Sequence, residues 1–190
     1  MSIALVPIGK VDPTEMEVLQ GSLKTVFSRD VLIGRKIPLP PVAWNAARGQ
    51  YDAEMMLEFF SLSVEAAGYD RALGVTNVDL YLPGMSFVFG IAGKRCAIIS
   101  FHRLRQPFYN LPEDADLFLW RAVVEAVHEL GHTFGLAHCK NPRCVMCFSN
   151  TIADTDRKGP AFCTACRLQV FSGETCGGRV PGRGGGPVEP

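Results

Sequence analysis

The sequence predicts an α/β protein built as one compact domain, with a mixed, mostly parallel sheet and two long helices. Strand-like apolar segments alternate with helix-like segments over the first 134 residues, which is the order that builds parallel sheets. Residues 51–67 and 112–134 have the length and apolar pattern of long helices. The 190 residues are 47% hydrophobic and 20% charged, as in ordinary globular domains.

The first 40 residues predict a strand, a helix and a second strand. Residues 2–8 form an apolar strand. Asp12, Pro13 and Glu15 supply an N-cap, a proline at the first helical position and a capping-box glutamate, so a helix should run to about Val26. A short strand is expected over residues 31–39, ending in a proline-rich stretch.

The middle of the chain predicts a buried helix followed by three strands. Apolar residues recur with helical spacing over residues 51–67, and Gly68 would close that helix. Residues 75–82 alternate as a strand before Pro83 and Gly84. Two further strands are expected over residues 87–91 and 95–101, and Cys96 should be a core residue of the second.

The helix over residues 112–134 carries two histidines on one side. Its apolar positions Val123, Val127, Leu130 and Phe134 form one stripe, and His128 and His132 lie opposite. The two histidines are four residues apart and therefore adjacent. Arg121 and Glu125 lie on the same side of the helix as the two histidines. We expect these two to form a solvated pair along the helix, with a hydrogen bond to a histidine as the less favoured alternative.

Composition excludes several functional classes. Zero net charge argues against nucleic-acid binding, and no apolar run approaches the roughly 20 residues of a membrane helix. The N-terminus lacks a basic segment typical of a signal peptide, so we expect a cytoplasmic protein, and a monomer. Seven cysteines in such a protein favour metal binding or free thiols over disulfides.

The pattern His128-Glu129-Leu130-Gly131-His132 predicts a zinc site on the helix. Gly135 can end the helix and turn the chain, which would bring His138 to the same metal. Three neutral histidines leave the fourth position open for water, as in a catalytic zinc site. Zinc would lower the pKa of that water, and Glu129 would act as general base and pass the proton to the leaving amine. The expected reaction is peptide-bond hydrolysis.

Two cysteine pairs predict a second zinc site. Cys139 and Cys144 are separated by four residues, and Cys163 and Cys166 by two. Four thiolates around zinc make a closed, structural site. Cys147 also forms a two-residue spacing with Cys144, so spacing alone does not decide between Cys139 and Cys147 as the fourth ligand; Cys176 is expected to bind no metal.

The run from His128 to His138 resembles the metzincin clan of zinc peptidases. The immediately following Cys139, then Cys144-Val145-Met146, then the Cys163–Cys166 pair, resembles one metzincin family in particular, the archaemetzincins.

This resemblance implies a compact metzincin-like core and two zinc ions per chain. It implies that Cys139, Cys144, Cys163 and Cys166 hold the structural zinc, and that Met146 occupies the methionine turn beneath the catalytic one. It also implies that an edge strand, residues 85–91, lines the cleft and pairs with an extended peptide or protein substrate. No tyrosine follows Tyr109, so a tyrosine that assists at the metal in some metzincins has no counterpart after the motif.

The predicted catalytic domain spans residues 1–170, with an upper part (1–135) and a lower, irregular cysteine-rich part (136–170). Residues 171–190, rich in glycine and proline, form a predicted flexible tail. His102 is assigned no role, and Asp154 and Asp156 are expected to be ordinary loop residues. The alternative function is a zinc-binding pseudoenzyme or interaction module with little or no turnover.

Overall fold

The computed structural model describes residues 2–65 and 68–172, and its centre is a five-stranded sheet. The strands of this sheet are β1 (Ile3–Ile8), β2 (Val31–Ile33), β5 (Arg71–Thr76), β7 (Gly90–Ala92) and β8 (Cys96–Ser100). They lie in the order β2-β1-β5-β8-β7. All neighbours are parallel except β7, which runs antiparallel to β8 at one edge. This confirms the predicted mixed, mostly parallel sheet.

Three long helices cover the two faces of this sheet. They are α1 (Pro13–Phe27), α2 (Ala53–Glu65) and α3 (Ala115–Thr133). Successive side chains of β1 point to opposite faces: Leu5 packs in the cluster that contains α1 and α3, and Val6 packs with α2. Because both faces are covered, β1, β5 and β8 are apolar nearly throughout and buried.

A second, three-stranded sheet takes up residues that the sequence assigns to other elements. It consists of β3 (Trp44–Asn45), β4 (Gln50–Asp52) and β6 (Leu80–Tyr81), in the order β3-β4-β6. The helix expected from residue 51 begins at Ala53, because Gln50–Asp52 pair in this sheet. The strand expected over residues 75–82 is wrong, since β5 ends at Thr76 and the chain joins the second sheet only at Leu80.

Two other predicted strands are shorter than expected. The strand over residues 31–39 is regular only to Ile33, and then touches β1 through a single bridge between Ile8 and Ile37. The strand over residues 87–91 is observed as Gly90–Ala92. The strand predicted over residues 95–101 is confirmed as Cys96–Ser100, with Cys96 buried.

Helix α3 is buried more completely than its apolar stripe predicts. The predicted core positions Val127 and Leu130 are fully buried, but so are Val124 and Ala126 on other sides. The reason is that α3 lies between the sheet and α1 on one side and the chain after residue 135 on the other. It is therefore the central helix of the molecule.

The segment after α3 is more regular than predicted, with α4 (Ile152–Arg157) and α5 (Thr164–Ser172). None of the described helices combines the length and apolarity that crossing a membrane requires. The predicted tail lies outside the described residues from position 173 onward, and so does Cys176.

Candidate active site

A glycine turn at the end of α3 brings the third histidine back to the first two. Gly135 has a φ of +85°, which favours glycine because it lacks a Cβ. The turn is closed by hydrogen bonds from the Gly135 N–H to His132 O (2.9 Å) and from the Leu136 N–H to Gly131 O (3.2 Å). The chain then places His138 beside the helix, as the sequence predicts.

The three imidazoles converge on one point. The Nε2 atoms of His128 and His132 are 3.2 Å apart, and ligand atoms of all three histidines lie within 4.8 Å of one another. His128 Nδ1 lies 2.7 Å from Val145 O, and His132 Nδ1 lies 2.8 Å from Leu136 O. Each Nδ1 therefore donates its proton to a carbonyl and leaves Nε2 free as an acceptor. This arrangement fits a zinc ion, because zinc–nitrogen bonds of about 2.0–2.1 Å in a tetrahedron separate the nitrogens by about 3.3 Å.

Burial disfavours the charged form of His128 and of His138. Burial and the nearby Lys158 cation lower the pKa of His128 to about 3. Burial and the neighbouring His132 also lower the pKa of His138. Because a metal binds the neutral imidazole, the electrostatics of the site favour ligation over protonation.

Glu129 is buried against the edge strand, and only 7% of its surface is exposed. Burial, with the neighbouring Glu125 carboxylate, raises its pKa to about 8. Backbone of β7 lies directly on its side chain: a Cβ at Gly90 would be 2.6 Å from Glu129 Cγ and 2.7 Å from Ile98 O. Gly90 is thus the residue that allows β7 to approach the carboxyl group.

The histidines and Glu129 open into a cleft of about 580 Å³. The segment from residue 85 to residue 93 forms one wall, and Phe148, Ser149 and Asn150 form part of the other. This is the segment that the sequence predicts as a cleft-lining strand, although only Gly90–Ala92 is regular strand. The floor consists of ionisable groups: Glu125, His128, Glu129, His132, His138 and Lys158.

The cysteine cluster lies immediately beyond His138. Sulfurs of Cys139, Cys144, Cys163 and Cys166 lie within 4.8 Å of one another, and those of Cys139 and Cys163 are 3.9 Å apart. Zinc–sulfur bonds of about 2.3 Å in a tetrahedron require a sulfur–sulfur separation of about 3.8 Å, so the cluster also fits zinc. Among the described cysteines, the group includes Cys139 and not Cys147, the alternative that spacing leaves open.

The two clusters share a short backbone connection. The Cys139 N–H donates to Met146 O at 2.9 Å. Met146 is fully buried beneath α3, and a Cβ at Gly131 would overlap its sulfur. The preceding Val145 provides the carbonyl that orients His128. The segment from Val145 to Met146 therefore supports the histidine site from below and the cysteine site from the side.

Polar contacts between α3 and α4 were not predicted. The expected pair between Arg121 and Glu125 along the helix is wrong. Arg121 instead forms two 2.7 Å hydrogen bonds with Asp156, and Glu125 accepts one from the Thr155 hydroxyl at 2.8 Å.

Asp154 and Asp156 were expected to be ordinary loop residues, and this is wrong. Both lie in α4, where Asp154 is the capping-box residue and Asp156 binds Arg121. Lys158, directly after α4, reaches the cleft, and no motif in the sequence points to it.

Comparisons with known proteins agree on one family. The model of peptidase family M54 matches residues 20–171. An archaemetzincin of Saccharolobus solfataricus is 40% identical over 171 residues, covering 90% of this chain and 93% of the relative. An archaemetzincin of Methanocaldococcus jannaschii is 43% identical over 169 residues, covering 87% and 90% respectively.

Solved structures agree with the sequence relatives. The crystal structure of an archaemetzincin from Archaeoglobus fulgidus, complexed with malonate, has a TM-score of 0.77 and 37% identity, covering 89% of this chain and 99% of that one. A zinc-dependent peptidase from Methanocorpusculum labreanum has a TM-score of 0.81 and 32% identity, with coverages of 88% and 99%.

Proposed function

Because the chain belongs to peptidase family M54, the archaemetzincins, which are zinc metallopeptidases, we propose that it hydrolyses peptide bonds at the histidine site, with Glu129 as the general base. The observation that carries this proposal is the convergence of three histidines beside one buried carboxyl group at the floor of a cleft. His128, His132 and His138 would hold the zinc through the nitrogens that remain free.

A zinc ion held by these histidines would supply an acidified water and polarise the scissile carbonyl. Glu129 would take a proton from the attacking water on a carboxylate oxygen and deliver it to the leaving nitrogen. Its carboxyl group lies at the floor of the cleft beside the three histidines, where a base that takes a proton from the water and passes it on must lie.

The edge strand supports an extended peptide as substrate. Within residues 2–65 and 68–172, β7 ends the five-stranded sheet and no strand pairs with its outer edge. Its backbone lies beside Glu129, so a peptide that pairs with β7 passes the reacting groups. The cleft above contains apolar side chains that fit peptide side chains: Leu82, Met85, Phe87, Val88, Phe89 and Phe148.

The cysteine cluster supports a second, structural zinc. Four thiolates fill a tetrahedral shell and leave no open position for substrate. Cys144 and Cys166 are buried in the core cluster that also contains Met146. The cysteine zinc would therefore fix the lower part of the domain, and Met146 would serve as the methionine of the turn beneath the histidines.

Stepwise chelation is expected to separate the two metals. Fully loaded protein should contain two zinc ions per chain, and a chelator should remove the histidine zinc and all peptide cleavage first. The reason is that four thiolates bind zinc more tightly than three neutral imidazoles that face a cleft. The measurement is metal content and cleavage rate at each chelator concentration. Simultaneous loss of both metals would contradict the assignment.

Replacing Gly90 with Ala is expected to slow peptide cleavage about 100-fold, because an added Cβ displaces either Glu129 or β7, and displacements of about 1 Å cost that much. Gly93→Ala is the matched control directly after β7, where an added Cβ would meet nothing closer than 3.6 Å. Cleavage rates of the two zinc-loaded variants make the comparison. Equal rates would show that the close approach at Gly90 has no part in positioning Glu129.

A further inference from the structure

We propose that Lys158 is a substrate-binding residue, whose ammonium group holds a carboxylate of the peptide in the cleft. This role rests on the proposed function, since the peptide must lie beside the histidine site. The carboxylate has two sources in a peptide, an acidic side chain or the chain terminus, and both have the same chemistry.

The chain builds a rigid support for Lys158. Asp156 and Thr155 of α4 contact α3 one helical turn apart, through the Arg121 guanidinium and the Glu125 carboxylate. The Arg121–Asp156 contact is bidentate, which fixes orientation as well as distance. Lys158 follows α4 directly, so its position relative to the histidine helix is set by these contacts.

The ammonium group of Lys158 is buried yet retains unused donors. Only 2% of the residue's surface is exposed. Its Nζ donates to Cys147 O at 2.8 Å. His128 Nδ1 is 3.3 Å away, but it carries the proton donated to Val145 O and does not accept another. An ammonium has three N–H groups, so two lack an acceptor among the described residues.

Lys158 also lacks an ion pair. Across residues 2–65 and 68–172, the ion pairs with N–O distances within 4.0 Å join arginines to carboxylates, and none includes Lys158. Burial lowers the pKa of Lys158, and Glu125 and Glu129 oppose that shift by attraction without forming an ion pair with it. A buried cation without a counter-ion is strongly destabilising, and a merely structural contact to one carbonyl would need only a neutral donor.

The cleft presents this cation to a ligand. Lys158 lines the cleft together with His128 and Glu129. With zinc on the histidines, the two positive groups, metal and ammonium, outweigh the two carboxylates, so the floor carries net positive charge. A substrate carboxylate would complete the missing ion pair with a charge-assisted hydrogen bond, which is about twice as strong as a neutral one.

The test uses the zinc-loaded full chain and four hydroxamate-linked dipeptides, in which the hydroxamate binds zinc and replaces the scissile bond. They differ only in one side chain, Glu or Gln, and in the C-terminus, acid or amide. We expect at least one carboxylate member to bind about 10-fold or more tightly than the fully neutral one. The preferred member identifies the source of the carboxylate. Inhibition constants or calorimetry give the affinities.

Variants at position 158 complete the experiment. Lys158→Met should abolish the preference for the carboxylate, and Lys158→Arg should keep most of it. Lys94→Met, which removes an exposed lysine outside the cleft, should leave it unchanged. Equal affinities of wild type for all four compounds, or a preference that survives Lys158→Met, would overturn the proposal even if peptides are cleaved. If none of the four compounds binds, the histidines do not hold an accessible zinc ion, and both proposals are wrong.

Discussion

Replacing Glu129 with Gln is expected to reduce peptide cleavage by about 10²–10⁴-fold while both zinc ions remain bound. Glutamine has nearly the same shape but accepts no proton, and Glu129 is not one of the grouped histidine ligands. Metal content of the purified variant and its cleavage rate are the two measurements. Full activity in Glu129→Gln would remove the general base from the proposal.

Replacing Glu129 with Gln is also expected to change how the stability of the metal-free protein depends on pH. The pKa of Glu129 is raised to about 8 in the folded chain, from an ordinary value of 4.5. Between those two pH values the folded state keeps a proton that the unfolded state releases, so wild-type stability falls as pH rises through this window. Metal-free Glu129→Gln escapes that loss and should be more stable than wild type by roughly 3–5 kcal/mol above pH 8, and closely similar below pH 4.5. Urea unfolding at a series of pH values measures both stabilities. If the free energies of unfolding of wild type and variant change in parallel with pH, the pKa of Glu129 is not raised by burial.

Replacing Cys166 with Ser is expected to remove one zinc ion and to lower the melting temperature by about 10 °C or more. Cys166 is buried and its sulfur belongs to the four-cysteine group. Loss of that metal releases Cys139, the residue next to His138, so peptide cleavage should also fall although no catalytic group has changed. Metal analysis, thermal unfolding and cleavage rates measure the three effects.

Cys147→Ser is the matched control for this substitution. Cys147 lies three residues from Cys144 but outside the group of four sulfurs. Its contact with Lys158 is through the backbone carbonyl, which serine retains. This variant should keep two zinc ions and wild-type stability. Zinc loss in Cys147→Ser but not in a Cys139→Ser protein would reassign the fourth ligand.

Local spacing predicted the two clusters because each depends on short-range geometry. Histidines four residues apart on a helix are neighbours wherever the helix lies, and Gly135 turns the chain by its own conformation. Cysteine pairs separated by two or four intervening residues need only one turn to meet. The helix over residues 112–134 was predicted within three residues at its start for the same reason, a long and regular apolar period.

The unpredicted features depend on contacts between distant segments. Gln50–Asp52 continue the helical pattern of α2 but pair with β6, about 30 residues later. Glu125 and Thr155 are 30 residues apart, and so are His128 and Lys158. These pairs come together because α4 packs on α3. A six-residue helix is too short for its apolar pattern to predict that packing.

Cleavage profiling with a peptide library measures whether the histidine site hydrolyses peptide bonds. The sample is the full chain loaded with two zinc ions, and mass spectrometry of the digest is the readout, with zinc-loaded Glu129→Gln as reference. We expect the wild-type chain to cleave a subset of the peptides, and the variant to cleave them at least about 100-fold more slowly. Two bound zinc ions without any Glu129-dependent cleavage would contradict it, and would favour a zinc-binding protein without turnover.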